Sequence, residues 1–393
     1  MRVAICTNFV SPYRRPVFQE IARHPGVELS VFTSTGVEGD RGWAAINGDG
    51  EAFNVVRCSS VTRRRAVNSI GGGGFTQQVE RHYPVGLPIE LARFGPDVII
   101  SGELGPRTIL AWMTGRAMGK PVIPWTYHPE AQADVAGRGV IFRRRFLKAC
   151  PAVIGMGSQA RRVLRSMGCD DNKIFDAPNA ADMSTIDARM SSPEHRSAVA
   201  AIRARFPGKR IALVAGRLVP MKGIEQLLSA WQGLDEQTRD AWELVFVGHG
   251  PLANAVDQAK AFGVSGVGHV DPSELPDWYV ASAIHVFASL GDPWGLVVNE
   301  AMRCGVPTLC SKLAGCADDL VRDEHNGLVF NPAAPTAEVT SDLRRALNHD
   351  SLSRLGSNAS EDVSGLTPAF MARSMLKAVE DVTNANAQRK GAA

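Results

Sequence analysis

The chain has 393 residues, of which 45% are hydrophobic and 21% charged, and a formal net charge of +3. That balance excludes an extended disordered chain, and there is no basic run with interleaved aromatics to suggest a nucleic-acid partner. The length predicts two or three domains. No run approaches the roughly 18 uninterrupted apolar residues of a membrane-crossing helix. The N-terminus enters a strand at once, which leaves no room for a signal peptide. Seven cysteines without a C-x-x-C pair read as reduced, buried thiols of a cytoplasmic protein, with no zinc site. The charge is uneven: residues 1–180 carry 23 Lys and Arg against 15 Asp and Glu, and the remainder 20 against 25. The first half is therefore expected to prefer an anionic partner or surface.

A strand over 2–7 leads through a loop holding Tyr13 and Arg14 into a helix that reaches about residue 24. Ser11 is its candidate cap, with Pro12 at the first position. Strands follow over 27–33 and 53–58, then a helix over 76–94 and a strand over 97–101. A helix over 107–118, a strand over 121–125, a helix over 140–149, a strand over 152–155 and a helix over 159–167 complete the first half. That rhythm predicts a parallel, doubly wound sheet. The tetraglycine 71–74 is not a phosphate loop, because no strand leads into it and no Gly-Lys-Ser/Thr follows; it reads as a loop over a cleft.

Residues 178–209 look like a connection. A second βαβ series has strands over 210–215, 243–247, 267–270, 284–288, 308–310 and 327–330. Helices over 223–231, 252–262, 273–281, 296–304 and 317–322 lie between them. The fold class is α/β, with two facing Rossmann-like parallel-sheet domains and a cleft between them. The expected division is a first domain over 1–180, a linker over 181–209 and a second domain over 210–365. An amphipathic last helix within 366–393 would pack back on the first domain.

The chemistry concentrates in strand-to-helix turns of the second half. Gly291 to Gly295 forms one, and the helix start offers N–H groups of Gly295, Leu296 and Val297 to an anion. Asp292 and Glu300 frame it. Carboxylates facing a phosphate would repel it, so they make sense as acceptors for hydroxyls of a ribose and a hexose. A dipole-complementing Asp beside a solvated Glu is the plainer alternative. Gly216-Arg217 to Lys222-Gly223 places a fork and a point charge five residues apart, able to clamp a diphosphate. Gly248-His249-Gly250 is a further glycine turn on the same sheet edge. In the first half, His128 ends a buried strand and could meet a sugar hydroxyl or help pass a proton, or be a satisfied structural histidine. Glu103 is a second strand-end candidate. Tyr13, Arg14 and Glu103 form the candidate acceptor side.

These pieces, in this order, resemble the retaining "group 1" glycosyltransferases of GT-B architecture. The matching stretches are Gly216-Arg217-Leu218 to Lys222-Gly223, Val247-Gly248-His249-Gly250-Pro251-Leu252, Asp292 through Glu300 to Pro307, Gly315 to Val321, and Asn326 to Val329. Pro178-Asn179 to Asp182 resembles the family's linker. The resemblance implies that Arg217 and Lys222 neutralise the donor diphosphate, that Glu300 holds the ribose hydroxyls, and that the Leu296 and Val297 backbone contacts phosphate. It sets Asp292 near the reacting sugar carbon, where the family usually has Glu, and His128 at the sugar. Ala180 replaces the linker glycine. The implied activity is sugar transfer from a UDP- or GDP-linked sugar to a glycan or lipid-linked acceptor in surface polysaccharide biosynthesis, without cofactor or metal. The alternatives are a nucleotide-sugar epimerase of the same architecture and a non-catalytic nucleotide-sugar-binding module. Arg63 to Arg65, and Arg143 to Arg145 with Lys148, Phe142, Phe146 and Leu147, read as a contact for an anionic membrane surface, for an acidic acceptor, or as a plain solvated face.

Overall fold

The computed structural model describes residues 1–37, 44–68, 76–126 and 138–391. Within the first half the strands are β1 (Arg2–Thr7), β2 (Glu28–Thr33), β3 (Asn54–Arg57), β4 (Val61–Asn68), β5 (Thr76–Tyr83), β6 (Val98–Gly102), β7 (Val122–Thr126), β8 (Val153–Gly155) and β9 (Ile174–Asp176). The helices are α1 (Arg15–Arg23), α2 (Leu87–Phe94), α3 (Pro106–Ala117), α4 (Arg138–Ala149) and α5 (Gly157–Ser166). Seven strands form one sheet in the order β3-β2-β1-β6-β7-β8-β9, and every pairing in it is parallel. Continuous apolar strands such as β6, buried at every residue, are what a sheet covered on both faces requires.

Two helices follow, α6 (Met183–Met190) and α7 (His195–Ala204). The second sheet contains β10 (Arg210–Ala215), β11 (Trp242–Val247), β12 (Val264–Gly268), β13 (Ile284–Phe287), β14 (Thr308–Ser311) and β15 (Gly327–Phe330). Its order is β12-β11-β10-β13-β14-β15, again parallel throughout. The helices are α8 (Ile224–Gln232), α9 (Glu236–Ala241), α10 (Ala253–Gln258), α11 (Leu275–Ala281), α12 (Leu296–Arg303), α13 (Ala317–Leu320), α14 (Thr336–Leu347), α15 (Leu352–Val363) and α16 (Pro368–Gly391). In both sheets the order reverses beside the first strand. The switch points therefore lie between β1 and β6 and between β10 and β13, where ligands of open α/β sheets bind.

Several expectations need correction. The helix over 76–94 is instead β5 followed by α2, and β5 pairs antiparallel with β4. A strand therefore does lead toward the tetraglycine, and 71–74 itself lies outside the described residues. Ser11 does not cap α1 with its side chain. The helix begins at Arg15 with a proline in its first turn, and the Ser11 carbonyl accepts the Arg14 and Arg15 N–H groups at 3.0 and 3.1 Å. The strand over 267–270 is shifted to β12. The helix over 252–262 is α10 followed by a short 3-10 turn. Phe146 and Leu147 are buried against Trp112 and the β8 region, so they cannot reach a membrane; the Phe142 side chain lies outside the described residues, and Ile141 is exposed on α4.

Helices α6 and α7 both dock on Asp277 of α11. Its buried carboxylate accepts from Arg189 of α6, with Nε 3.0 Å away, and meets His195 Nδ1 of α7 at 2.6 Å. Helix α16 crosses to the first domain, where Met371, Met375, Val379 and Val382 share a core with Val17, Phe18 and Ile21 of α1. Each such side chain contributes up to about 1.5–3 kcal/mol by burial.

The two domains meet at the carboxyl edges of their sheets. Ser158, just past β8, donates its N–H (2.9 Å) and hydroxyl (2.6 Å) to the Asp319 carboxylate of α13. Gln159 Nε2 donates to the Ala314 carbonyl at 2.8 Å. Gly157 makes this approach possible: its φ is +84°, and a Cβ there would lie 2.5 Å from Asp319 Oδ2 and 2.6 Å from the Trp294 ring. The two switch points consequently open toward one another.

Candidate active site

The loops that follow β10 and β13 flank the second switch point. The β10 loop is stitched to both neighbouring loops by backbone bonds: Leu290 N–H, after β13, donates to the Met221 carbonyl at 2.8 Å, and Leu218 N–H donates to the carbonyl of His249, after β11, at 3.0 Å. Gly216, Gly248 and Gly250 line the same edge. Gly248 has φ +145°, and a Cβ on it would fall 1.8 Å from the Gly216 carbonyl oxygen, so only glycine lets the two turns close. His249 is exposed at the rim and contributes its carbonyl to this stitching.

Lys222 reaches across to the Asp292 carboxylate, and its ammonium also lies 5.1 Å from the centre of the Phe287 ring. The other Asp292 oxygen, Oδ1, accepts the Trp294 N–H at 3.1 Å. Burial alone would raise the Asp292 carboxyl. The Lys222 charge and hydrogen bond, the Trp294 N–H and the Arg217 charge outweigh it and hold it below the usual carboxylate range. Arg217, Lys222 and Asp292 thus form one electrostatic group. Both Asp292 oxygens have partners within the second half of the chain, so a ligand meets this carboxylate only by sharing it with Lys222.

Gly295, in the left-handed region, turns the chain into α12. Leu296 and Val297 occupy the first turn, whose N–H groups have no acceptor within the helix. Glu300 follows one turn on, partly exposed, with its Oε2 accepting the Tyr279 hydroxyl at 3.0 Å. Burial pushes the Glu300 carboxyl up to about 7 against the opposing Tyr279 bond. Tyr279 has no exposed surface and packs edge-on to His285, with ring centroids 5.7 Å apart. Burial, and then the Lys222 charge, push the His285 imidazole down to about 3. Tyr279 was missed by sequence reasoning; nothing in the α11 sequence distinguishes it from a core aromatic beside Trp278.

On the facing domain, the loops after β1 and β6 flank the first switch point. Glu103 adopts φ +67°, unusual for a residue with a side chain. Asn8 Nδ2 lies 3.4 Å from Glu103 Oε1, and Arg107 lies 3.3 Å from Oε2. Arg107 is buried, donates to the Gly102 carbonyl at 2.7 Å and bonds Asn8 Oδ1. It too escaped sequence reasoning. Arg14 stacks on the Trp125 ring at 4.5 Å and lies 5.9 Å from that of Tyr13. His128 lies outside the described residues. Among the described residues no group of three or more His, Cys, Asp or Glu is placed to hold a metal ion, and no helix is long and apolar enough to cross a membrane. A cavity of about 500 Å³ lined by Arg203, Lys209, Arg210 and Pro307 opens at the opposite edge of the second sheet, away from this group.

Residues 197–362 match the family described as "Glycosyl transferases group 1". The chain is similar to a D-inositol 3-phosphate glycosyltransferase of Streptomyces bingchenggensis, 34% identical over 41% of this chain and 38% of that protein. It is also similar to the O-antigen chain mannosyltransferase B of Escherichia coli, 32% identical over 36% of this chain and 37% of that one. The matched stretches thus span less than half the length of these two relatives. In fold, HepE of Anabaena, solved in complex with UDP, superposes with a TM-score of 0.72 over 97% of this chain and 100% of its own, at 14% identity. The match to the group 1 glycosyltransferases lies in the second half of the chain, and the two parallel sheets give the chain the GT-B architecture.

Proposed function

We propose that the protein transfers a sugar, with retention of anomeric configuration and without a metal ion, from a UDP- or GDP-linked donor to a hydroxyl of a glycan or lipid-linked acceptor in surface polysaccharide biosynthesis. The observation that carries this reading is the Arg217–Lys222–Asp292 group beside the open first turn of α12, at the switch point of the second sheet. Two cations and the N–H groups of Leu296 and Val297 supply what a diphosphate leaving group needs. Glu300 accepts the ribose hydroxyls.

In the mechanism the bond from the anomeric carbon to the donor's phosphate oxygen breaks, and the charge grows on that oxygen. Arg217 and Lys222 stabilise it. The acceptor hydroxyl attacks from the same face, and its proton passes to the departing phosphate oxygen. Asp292 keeps the Lys222 ammonium in place and meets the sugar on its other side. The Glu103, Asn8 and Arg14 edge of the first domain receives the acceptor, and His128 is assigned to the sugar. Domain closure excludes water and so prevents donor hydrolysis. The division into an acceptor domain over 1–180, a linker, a donor domain over 210–365 and a returning C-terminal helix belongs to this reading.

The reaction is placed on the cytoplasmic face of a membrane. Arg63, Arg64, Arg144, Arg145 and Lys148, all exposed, supply the charge for an anionic surface, with Ile141 as the apolar contact. The activities these relatives are named for, on an inositol phosphate and on an O-antigen chain, support an acceptor rich in hydroxyls. Replacing Lys222 or Arg217 by Ala should lower turnover, measured as release of UDP or GDP, at least ~100-fold. Near wild-type turnover in a folded variant refutes the assignment.

A further inference from the structure

We propose that Tyr279 is a positioning residue for nucleotide recognition: its hydroxyl fixes one oxygen of Glu300 and leaves the other to accept hydrogen bonds from the ribose. This rests on the nucleotide-sugar reading above and adds to it a residue on a different helix.

The geometry is specific. The phenol has no exposed surface, and its hydroxyl has one recorded bond, the 3.0 Å contact with Glu300 Oε2. Burying a hydroxyl costs free energy that a phenylalanine would avoid, so this tyrosine is there for its polar end. Its position is set from behind. Helix α11 is tied to both α6 and α7 through Asp277, two residues earlier, and the ring rests edge-on against His285 of β13. A carboxylate on a helix surface otherwise samples several rotamers. Here one oxygen is pinned, so Oε1 keeps a fixed place about 6 Å along the axis from the open N–H groups of Leu296. That step is of the size that separates a phosphate from its ribose.

The hydrogen bond has a second consequence. The ribose hydroxyls donate, so Glu300 must be ionised to accept both, and the Tyr279 bond favours the ionised form against burial. Among the described residues, the titratable groups on Glu300 are Tyr279 from α11 and Cys304 just past the end of α12; His285 from β13 lies behind Tyr279, with the Lys222 charge acting on it. Burial pushes Tyr279 and Cys304 up and His285 down, so none of these three changes charge near neutrality. A merely structural tie between α11 and α12 would not couple nucleotide affinity to pH, nor to the presence of a ribose hydroxyl.

The test is calorimetry on the full chain with UDP and GDP as probes, each beside its 2′-deoxy counterpart, between pH 6 and 8.5. The wild type should bind the ribonucleotide at least ~10-fold more tightly than the deoxy form, as for a hydrogen bond to a charged group. Affinity should fall as the pH drops below neutrality. Tyr279→Phe should weaken ribonucleotide binding ~10-fold, shrink that preference and move the pH midpoint upward. Glu300→Gln, which retains an oxygen for Tyr279, should remove both the preference and the pH dependence. The proposal is overturned if folded Tyr279→Phe keeps wild-type affinity, preference and midpoint, or if it weakens both nucleotide forms equally. Failure of the wild type to bind either UDP or GDP would instead overturn the nucleotide-sugar reading.

Discussion

Replacing Glu300 by Gln should stabilise the unliganded protein while disabling it. The carboxyl ionises at its usual value near 4.5 in the unfolded chain and at about 7 in the fold, because burial disfavours its charged form. Below pH 4.5 both states carry the proton and Glu300 is neutral in its effect. As the pH rises toward 7 the unfolded chain has lost the proton while the fold retains it, so stability falls. Above 7 the cost levels off at up to the order of 3 kcal/mol, an upper bound because the side chain is partly solvated. Glutamine keeps the size and an acceptor for Tyr279 but has no charge to bury. Thermal melts should therefore show the variant rising above wild type by roughly 5–10 °C at pH 8 and coinciding with it near pH 4.5. An equal offset at both pH values, or a variant less stable at pH 8, refutes the view that a carboxylate is held here at a cost in stability for the sake of a ligand.

Gly248→Ala should cost more than ~4 kcal/mol in denaturant midpoint, since its Cβ would overlap the Gly216 carbonyl, whereas Gly208→Ala, with open space around it, should cost only ~1–2 kcal/mol of backbone strain. Met375→Ala should lose about 2–5 kcal/mol and expose α16 to protease, because the side chain is fully buried between that helix and the first domain; an unchanged cleavage pattern contradicts that packing. Asp319→Asn weakens the bonds from Ser158 across the domain boundary, so small-angle scattering should show a wider spread of interdomain distances than for the wild type.

The second domain was legible because its central strands are buried on both faces and β10, β11 and β13 are each followed by a glycine turn. Gly216, Gly248 and Gly295 are required by backbone geometry, so they mark the sheet edge in the sequence itself. The hairpin of β4 and β5 was not legible. Its residues are largely polar, Gln77, Gln78, Glu80 and Arg81 fit an exposed helix face as well as a strand, and its partner stretch Arg63–Arg65 reads only as a basic surface patch. Strand β12 is a half-exposed edge with two glycines, so its apolar signal is weak and its position slipped by a few residues. The basic helix α4 was read as having an apolar flank at Phe146 and Leu147, but those residues point into the core, which a helical period alone did not separate from a membrane-facing stripe. In the site, residues adjacent in sequence were legible and partners from other elements were not. Tyr279 meets Glu300, Ser158 meets Asp319, and Arg107 meets Asn8 only once strands order themselves around a switch point.

The central claim is that the second domain cradles a nucleotide-linked diphosphate between Arg217, Lys222 and the start of α12. A thermal-shift titration with UDP, GDP and their sugars tests it most directly. One base series should stabilise the wild type, by about 2.7 kcal/mol at a hundredfold excess over Kd, and the shift should vanish in Lys222→Ala. No shift with either series, or an undiminished shift in Lys222→Ala, would contradict it.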